Sequence, residues 1–578
     1  MALTPSPFPN RAAAGLHAAG WALVWPCFWS LDRVIAVCKS TTLERRQRRE
    51  QECYLRPLKV FFGVLLFFLL FLLSLPFGFL GFLLWAPLQV CRRPFRYLVE
   101  ESLPDRETHR GFESEGKASF CFATANLCLL PDGLARFNNL GDSQSRAARI
   151  GRLIFQGVGR PNLRVFVQSP GSCGALSPSD SILPEASSTS YGATRSQPAA
   201  RRHPEPGSAA LVESNSHVVC VPCDDSDDSS RSNQEKRGGA PRAPPSQGLA
   251  DVPWEVSTMF PANLDVLCLE EVFDTRAAKK LTDRLKPVFG HILYDVGVYA
   301  CQPPCSCSTF KFFNSGMLLA SRFPVLEAQY HFFPNSRGED ALAAKGLLSA
   351  KVPWHGRRRR LTTRLKCVSL PQLLIGRNRK GKDVVGYFNC THLHAPEGEG
   401  EIRCLQLNMV TKWIGDFQAA NKLPDEDVVF DVLCGDFNFD NCSPDDHLEQ
   451  NHALFEEYRD PCRAGPGREK PWVIGTLLRQ PTLYDDDVNT AENLQRTLVQ
   501  EELRKRYISP PVPAEGRPLL YPEDGQPWVG RRLDYILFRE NSISDRCRTE
   551  VEEVSFITQL AALTDHIPVG LRIKVSMA

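Results

Sequence analysis

From Val60 to Val90 the chain carries no charged side chain, and Phe and Leu dominate the run. That is longer than the ~20 apolar residues a helix needs to cross a bilayer. A core helix of this composition would need apolar neighbours on every side, so the segment belongs in a membrane. An earlier apolar stretch, Ala12 to Cys38, is interrupted by His17, Pro26, Asp32 and Arg33 and is expected to kink or to insert less deeply. Glu44-Arg45-Arg46-Gln47-Arg48-Arg49 separates the two stretches, and Arg92, Arg93 and Arg96 follow the second. Positive charge on both flanks keeps both in the cytosol. A re-entrant or interfacial hairpin meets that condition, with a bend expected at Pro76, Gly78 and Gly81. Two spans joined by an external loop are the alternative. The strongest apolar segment begins too far from Met1 for a cleaved signal peptide. Cys53 and Cys91 adjoin membrane and basic residues and are candidates for palmitoylation, although ordinary free thiols fit as well.

The 578 residues are read as one large catalytic core with appendages. Residues 1–100 form a membrane-embedded hairpin region, and 101–170 a juxtamembrane segment with the first part of the catalytic domain. Residues 171–250, rich in Ser, Pro, Gly, Asp and Arg, form a disordered linker or insertion, and 251–578 complete the catalytic domain. Within the linker, Val218 to Val221 reads as a docking strand or as nothing specific, and before it Pro161 to Phe166 reads as a docking strand or as part of a sheet. Arg357 to Lys382 reads as a basic, irregular insertion. The near balance of 68 basic and 66 acidic residues lacks the excess expected of a nucleic-acid partner. Twenty cysteines are scattered, several inside strand-like runs such as Leu267-Cys268-Leu269, which favours reduced cytosolic thiols over a disulfide framework. Cys301, Cys305 and Cys307 lack a second pair at zinc-finger spacing.

Strands are expected over Ala118–Leu130, Leu264–Val272, His291–Val298, Ser315–Ala320, Val384–His394, Val428–Phe439, Arg532–Phe538 and Val569–Val575. Helical patterns cover Thr275–Leu285 and Glu401–Phe417. The alternation implies an α/β domain. Polar residues collect at strand ends, where a side chain can emerge into a cleft: Asn126, Glu271, His392, His394, Asp436, Asn438, Asp534, Asp565 and His566. Any one of these alone would be an ordinary turn or cap residue. Their Glu, Asp and Asn content suits Mg²⁺, a hard cation that keeps much of its water. No Gly-x-Ser-x-Gly elbow is present, which disfavours a serine nucleophile. Asp565-His566 suits a histidine that takes a proton from water while a metal offsets phosphate charge.

Leu269-Glu270-Glu271-Val272-Phe273, Gly435-Asp436-Phe437-Asn438, Arg532-Leu533-Asp534-Tyr535 and Thr564-Asp565-His566 resemble, in order and spacing, the motifs of the exonuclease, endonuclease and phosphatase superfamily. Further segments narrow the resemblance to the membrane-hairpin neutral sphingomyelinases. These are Phe120 to Asn126, Phe260 to Asp265, Cys390 to Pro396, Cys434 to Cys442 and Ser555 to Leu560, together with the double apolar segment.

That resemblance implies a DNase I-like four-layer α/β sandwich with an N-terminal membrane hairpin. It also implies hydrolysis of sphingomyelin to ceramide and phosphocholine. Glu271 would hold Mg²⁺, with Mn²⁺ able to substitute and Asn126 close by. Asp436 and Asn438 would orient water and a phosphoryl oxygen. His566 would be the base, oriented by Asp534, with Asp565 supporting the metal side. His392 would stabilise the transition state or assist the leaving group. Asp340 and Lys345 match a switch pair, whose i, i+5 spacing calls for a loop or helix end. Anionic phospholipids are the implied activators, through Arg45, Arg46, Arg48, Arg49, Arg92 and Arg93. The resemblance allows a homo-oligomer. It leaves Golgi and plasma membrane, or mitochondria and endoplasmic reticulum, as the compartments.

Overall fold

The structure, a computed structural model, describes residues 3–50, 55–100, 117–160, 252–301, 310–353, 383–514, 522, 527–540 and 547–577. The linker, the Arg357–Lys382 insertion, both proposed docking strands, Cys53, Cys305 and Cys307 lie outside these residues.

Helix α1 (Arg11–Cys38) opens on Asn10, whose side chain accepts the Ala13 N–H, and it continues through Pro26. α2 (Thr42–Glu50) carries the arginine run. α3 (Arg56–Leu88) begins at a proline-favoured first turn and also runs unbroken through Pro76, Gly78 and Gly81. The two glycines bring α1 and α3 together instead. A Cβ on Gly81 would stand 2.6 Å from the Gly20 carbonyl oxygen, and one on Gly78 3.0 Å from Cys27 Cβ. Small residues at such a crossing let two apolar helices approach closely. Contacts of Gly20 with Gly81 and of Val37 with Gly63 make the pair antiparallel. Both helices are long and apolar enough to cross a membrane.

The hairpin rests on the catalytic domain near both of its ends. Arg33 pairs with Asp132 at 3.0 Å, Trp25 lies under the Arg276 guanidinium, and Trp85 meets the Tyr299 ring edge-on.

An eight-stranded sheet contains β1 (Arg96–Val99), β2 (Lys117–Asn126), β3 (Trp254–Ser257), β4 (Val266–Glu270), β5 (His291–Tyr294), β6 (Leu318–Ser321), β14 (Cys547–Ile557) and β15 (Val569–Met577). A five-stranded sheet contains β7 (Glu327–Phe332), β8 (Gly346–Pro353), β9 (Asp383–His392), β10 (Glu426–Asp436) and β13 (Asp534–Phe538). The short β11 (Arg463–Gly465) and β12 (Arg468–Glu469) make a separate ribbon.

The two-residue period of the strands builds the layers. On β2, Phe120 and Phe122 face the second sheet, where Phe388 and Phe430 meet them. Cys121, Ala123 and Ala125 face α5 (Ser143–Val158) and α6 (Thr275–Phe289). On β10, Val432 and Cys434 join the inter-sheet core, while Leu433 packs toward α7 (Gly400–Asn421). The order is helices, sheet, sheet, helix.

The apolar runs foresaw β2, β4, β5, β6, β9, β10, β13 and β15, with ends shifted by a few residues. They did not mark β1, β3, β7, β8 or β14, of which β1 and β3 are only four residues long. Cys268 of β4 and Cys390 of β9 form a disulfide across the inter-sheet core, correcting the expectation of reduced thiols at this pair. The two cysteines are 122 residues apart, and only the facing of the sheets brings their Cα atoms to 6.6 Å.

Candidate active site

β2 and β4 run parallel, as do β9 and β10, so their C-terminal ends open onto one edge of the sandwich. Asn126 closes β2, Glu271 follows β4, and His392 and Asp436 close β9 and β10. β13 runs antiparallel to β10 and sets Asp534 directly across from Asp436. The turn before β15 adds Asp565 and His566. Gly435 is required where β10 meets β9: its φ is +140°, and a Cβ there would lie 1.8 Å from the Thr391 carbonyl oxygen. Glu271 itself has φ +56°, an uncommon conformation for a side-chain-bearing residue and one concentrated at functional sites.

Glu271, His392 and Asp436 each offer a ligand atom, all within 4.8 Å of one another. Asn126 Nδ2 donates to Glu271 Oε1 at 3.0 Å and to Asp436 Oδ2 at 2.9 Å, while its Oδ1 accepts the Cys128 N–H. Asn126, expected close to the metal, thus bridges two carboxylates through its amide N–H group. Both His392 ring nitrogens, Asp534 Oδ1 and Asp565 Oδ1 are buried without a hydrogen-bond partner. Buried polar atoms left this way are costly, and a divalent cation with its water would satisfy them. The donor set therefore fits such an ion.

His566 Nδ1 lies 2.8 Å from Asp534 Oδ2. Burial by itself depresses the imidazole, but Asp534, Asp436 and Asp565 together raise His566 well above its ordinary value. His392 moves the other way, held well below its ordinary value by burial and then by the Lys345 charge. Burial and then Asp565 push Glu271 up to about 7. Burial likewise raises Asp436, although His566 opposes it. Neighbouring groups thus have separated proton affinities, as acid–base sites require.

Asp340 and Lys345 pair at 2.9 Å between a short 3₁₀ turn and β8, a loop setting like the one their spacing called for. Lys345 Nζ also donates to the Leu393 carbonyl, whose oxygen accepts from Asn438 Nδ2 as well. Asp340 accepts the Ala395 N–H at 2.7 Å and faces His394 Nδ1 at 3.2 Å. Burial would raise Asp340, but Lys345 and these contacts hold it below the usual carboxylate range. The pair therefore clamps the His392-Leu393-His394-Ala395 turn beside the site. His394, expected at the site edge, belongs to this clamp.

Residues 12–91 match the family described as Neutral sphingomyelinase N-terminal transmembrane region, and residues 244–566 match the Endonuclease/Exonuclease/phosphatase family. Over 100% of its length the chain is 56% identical to sphingomyelin phosphodiesterase 5 of Danio rerio, spanning 99% of that protein. The chain belongs to the neutral sphingomyelinase family. Neutral sphingomyelinase relatives also include sphingomyelin phosphodiesterase 3 of Homo sapiens, 40% identical over 100% of this chain and 99% of that one. Among solved structures, sphingomyelinase C from Streptomyces griseocarneus is 17% identical and covers 54% of this chain and 86% of that one, with a TM-score of 0.30. The match to the transmembrane-region family and the two apolar helices associate the chain with a membrane.

This neutral sphingomyelinase family member carries supporting residues that the strand-end pattern did not reveal. Arg146 of α5 donates to the carbonyls of Leu127, Cys128 and Leu563, tying the Asn126 and Asp565 segments together. Thr476 Oγ1 accepts the Leu533 N–H, and Gln480 Nε2 donates to Asp565 Oδ2 at 3.1 Å. None of these follows an apolar run in a way that would flag it. Of the expected lipid-binding arginines, Arg45, Arg46, Arg48 and Arg49 lie on α2. Arg92 does not serve that purpose: its side chain is 3% exposed and pairs at 2.8 Å beneath Tyr299 with Asp295, a carboxylate that Arg96 also meets at 3.1 Å. Arg93 donates to Thr4 Oγ1. Cys91 is exposed, as a modified cysteine would need to be.

Proposed function

We propose that the chain hydrolyses the phosphodiester of sphingomyelin to ceramide and phosphocholine at a membrane surface. The observation that carries this reading is the buried Asp534–His566 pair facing the Glu271, His392 and Asp436 cluster. The relatives' names and the apolar hairpin supply the lipid substrate class.

Asp534 fixes a proton on His566 Nδ1, leaving Nε2 to take a proton from water. Asp436 and Asn438 orient that water and a phosphoryl oxygen. Glu271, with Asp436 and His392 beside it and Asp565 supporting that side, would hold Mg²⁺, or Mn²⁺ in its place. That ion supplies positive charge to the phosphoryl oxygens. His392, held neutral by its surroundings, is suited to donating one ring N–H to a phosphoryl oxygen rather than to delivering a full proton to the leaving group. Asp340 and Lys345 act as the switch that holds the His392 turn in its active arrangement.

The catalytic domain faces the cytosol, and Arg45, Arg46, Arg48 and Arg49 read anionic phospholipids from the bilayer surface, each worth ~1 kcal/mol near it. The test is phosphocholine release from sphingomyelin, with phosphatidylcholine and DNA as competing substrates, at neutral pH with Mg²⁺ or EDTA. Mg²⁺-dependent release from sphingomyelin is expected. Release from neither lipid refutes the reading. His566→Ala should abolish turnover while leaving membrane association intact, and retained activity would remove His566 from the base role.

A further inference from the structure

We propose that Gln480 is a positioning residue for Asp565, and that the segment joining the two membrane helices sets it in place through Asn139. The inference rests on the metal-assisted phosphodiesterase reading and extends it to a physical link between hairpin and active site.

Asp565 has two carboxylate oxygens in different situations. Oδ2 accepts from Gln480 Nε2, whereas Oδ1 is buried without a partner. Holding one oxygen limits rotation of the carboxylate, so the setting of the buried, unpartnered Oδ1 depends on Gln480. The backbone supports the same alignment: Leu478 N donates to the Asp565 carbonyl at 2.8 Å, and Leu477 bridges His566.

Gln480 is in turn held from the opposite side. Its carbonyl accepts from Asn139 Nδ2 at 2.6 Å. The same Nδ2 donates to Thr42 Oγ1 at 2.8 Å, and Asn139 Oδ1 accepts the Thr42 N–H at 2.7 Å. Asn139 is buried and has φ +61°, a left-handed placement that Asn tolerates and that these three contacts hold in position. Thr42 is the first residue of α2, directly after the chain leaves α1. Arg136, three residues before Asn139, ties the same connector down through the Lys39 carbonyl and Glu44. A shift of α1 and α3 in the bilayer therefore moves Thr42, Asn139 and the Gln480 backbone as one connected set, ending at Asp565.

The experiment uses full-length protein in sphingomyelin-containing nanodiscs, with Gln480→Asn, Thr42→Val and the double variant. Asn is too short to reach Asp565, and Val removes the Thr42 hydroxyl while keeping its N–H. For Gln480→Asn, kcat should fall about ten- to a hundredfold, the range for a hydrogen bond to a charged group. KM and the thermal midpoint should stay unchanged, and calorimetric Mg²⁺ binding without substrate should weaken. Thr42→Val should lower kcat severalfold, and the double variant should match Gln480→Asn alone because both act on one chain of contacts. Wild-type kcat and Mg²⁺ affinity in Gln480→Asn would overturn the positioning role. Independent, multiplying effects of the two substitutions would overturn the link to the hairpin. The Mg²⁺ titration needs no turnover, so it decides the positioning role even if the wild-type protein releases no phosphocholine. That failure would instead count against the proposed function.

Discussion

Replacing Asp534 with Asn preserves side-chain shape and removes the charge that faces His566. In the folded protein the His566 side chain is 8% exposed and that of Asp534 0%, so no solvent molecule replaces the lost contact. A hydrogen bond to a charged group contributes about 1.5–3 kcal/mol, which corresponds to about a 10- to 150-fold loss in rate if the contact is needed in the transition state. A second effect adds to it. The Asn amide can donate to Nδ1 and so move the imidazole proton to Nε2, the nitrogen that must accept. General-base assistance is worth about 10²–10⁴-fold, so kcat should fall toward the larger figure.

The pH profile separates this from mere loosening. The carboxylates raise His566 well above its ordinary value, so wild-type activity climbs with pH through that raised value. Without Asp534 the imidazole loses its proton more easily, so the acid limb should shift to lower pH while the plateau drops. Phosphocholine release at saturating sphingomyelin across pH 5–9, on protein verified as folded by circular dichroism, is the assay. A plateau within about threefold of wild type, below one such hydrogen bond, or an acid limb that moves upward, would refute the reasoning.

Glu271→Gln should raise the thermal midpoint of EDTA-treated protein above pH 7 and remove its stabilisation by Mg²⁺. The sign follows from a folded value of about 7: the stability this group contributes is present below the ordinary glutamate value and is lost as pH rises to about 7. An unchanged midpoint at pH 8 would contradict it. Lys345→Met leaves the buried Asp340 without its lysine partner, so urea unfolding should show a loss of about 3–5 kcal/mol, with Asp340→Asn/Lys345→Met losing less; equal losses would show that the pair is not coupled. Arg92→Ala should lower the thermal midpoint without weakening binding to anionic vesicles. Replacing Arg45, Arg46, Arg48 and Arg49 together should do the reverse in a vesicle-flotation assay, and a vesicle defect in Arg92→Ala would return that residue to the lipid-binding set.

The candidate residues were legible because Asn126, Glu271, His392 and Asp436 each close or follow an apolar run, and Asp534, Asp565 and His566 adjoin the start of one; a strand's end is a local property of sequence. The structure brings Glu271, His392, Asp436, Asp534, Asp565 and His566 to one edge of the sandwich. So was the Val60–Val90 helix, since thirty-odd uncharged residues leave the backbone no competing solution in lipid. Only the fold decided which groups touch. Asp534 meets His566 because β13 runs antiparallel to β10, and Cys268 meets Cys390 because the two sheets face each other. Arg92, one of several arginines in sequence, became a buried partner of Asp295, and Asn126 a bridge between carboxylates. Composition and period report how one segment meets solvent or core. Partner choice depends on register and on loop closure between residues far apart, and these are settled only when the sheets pack.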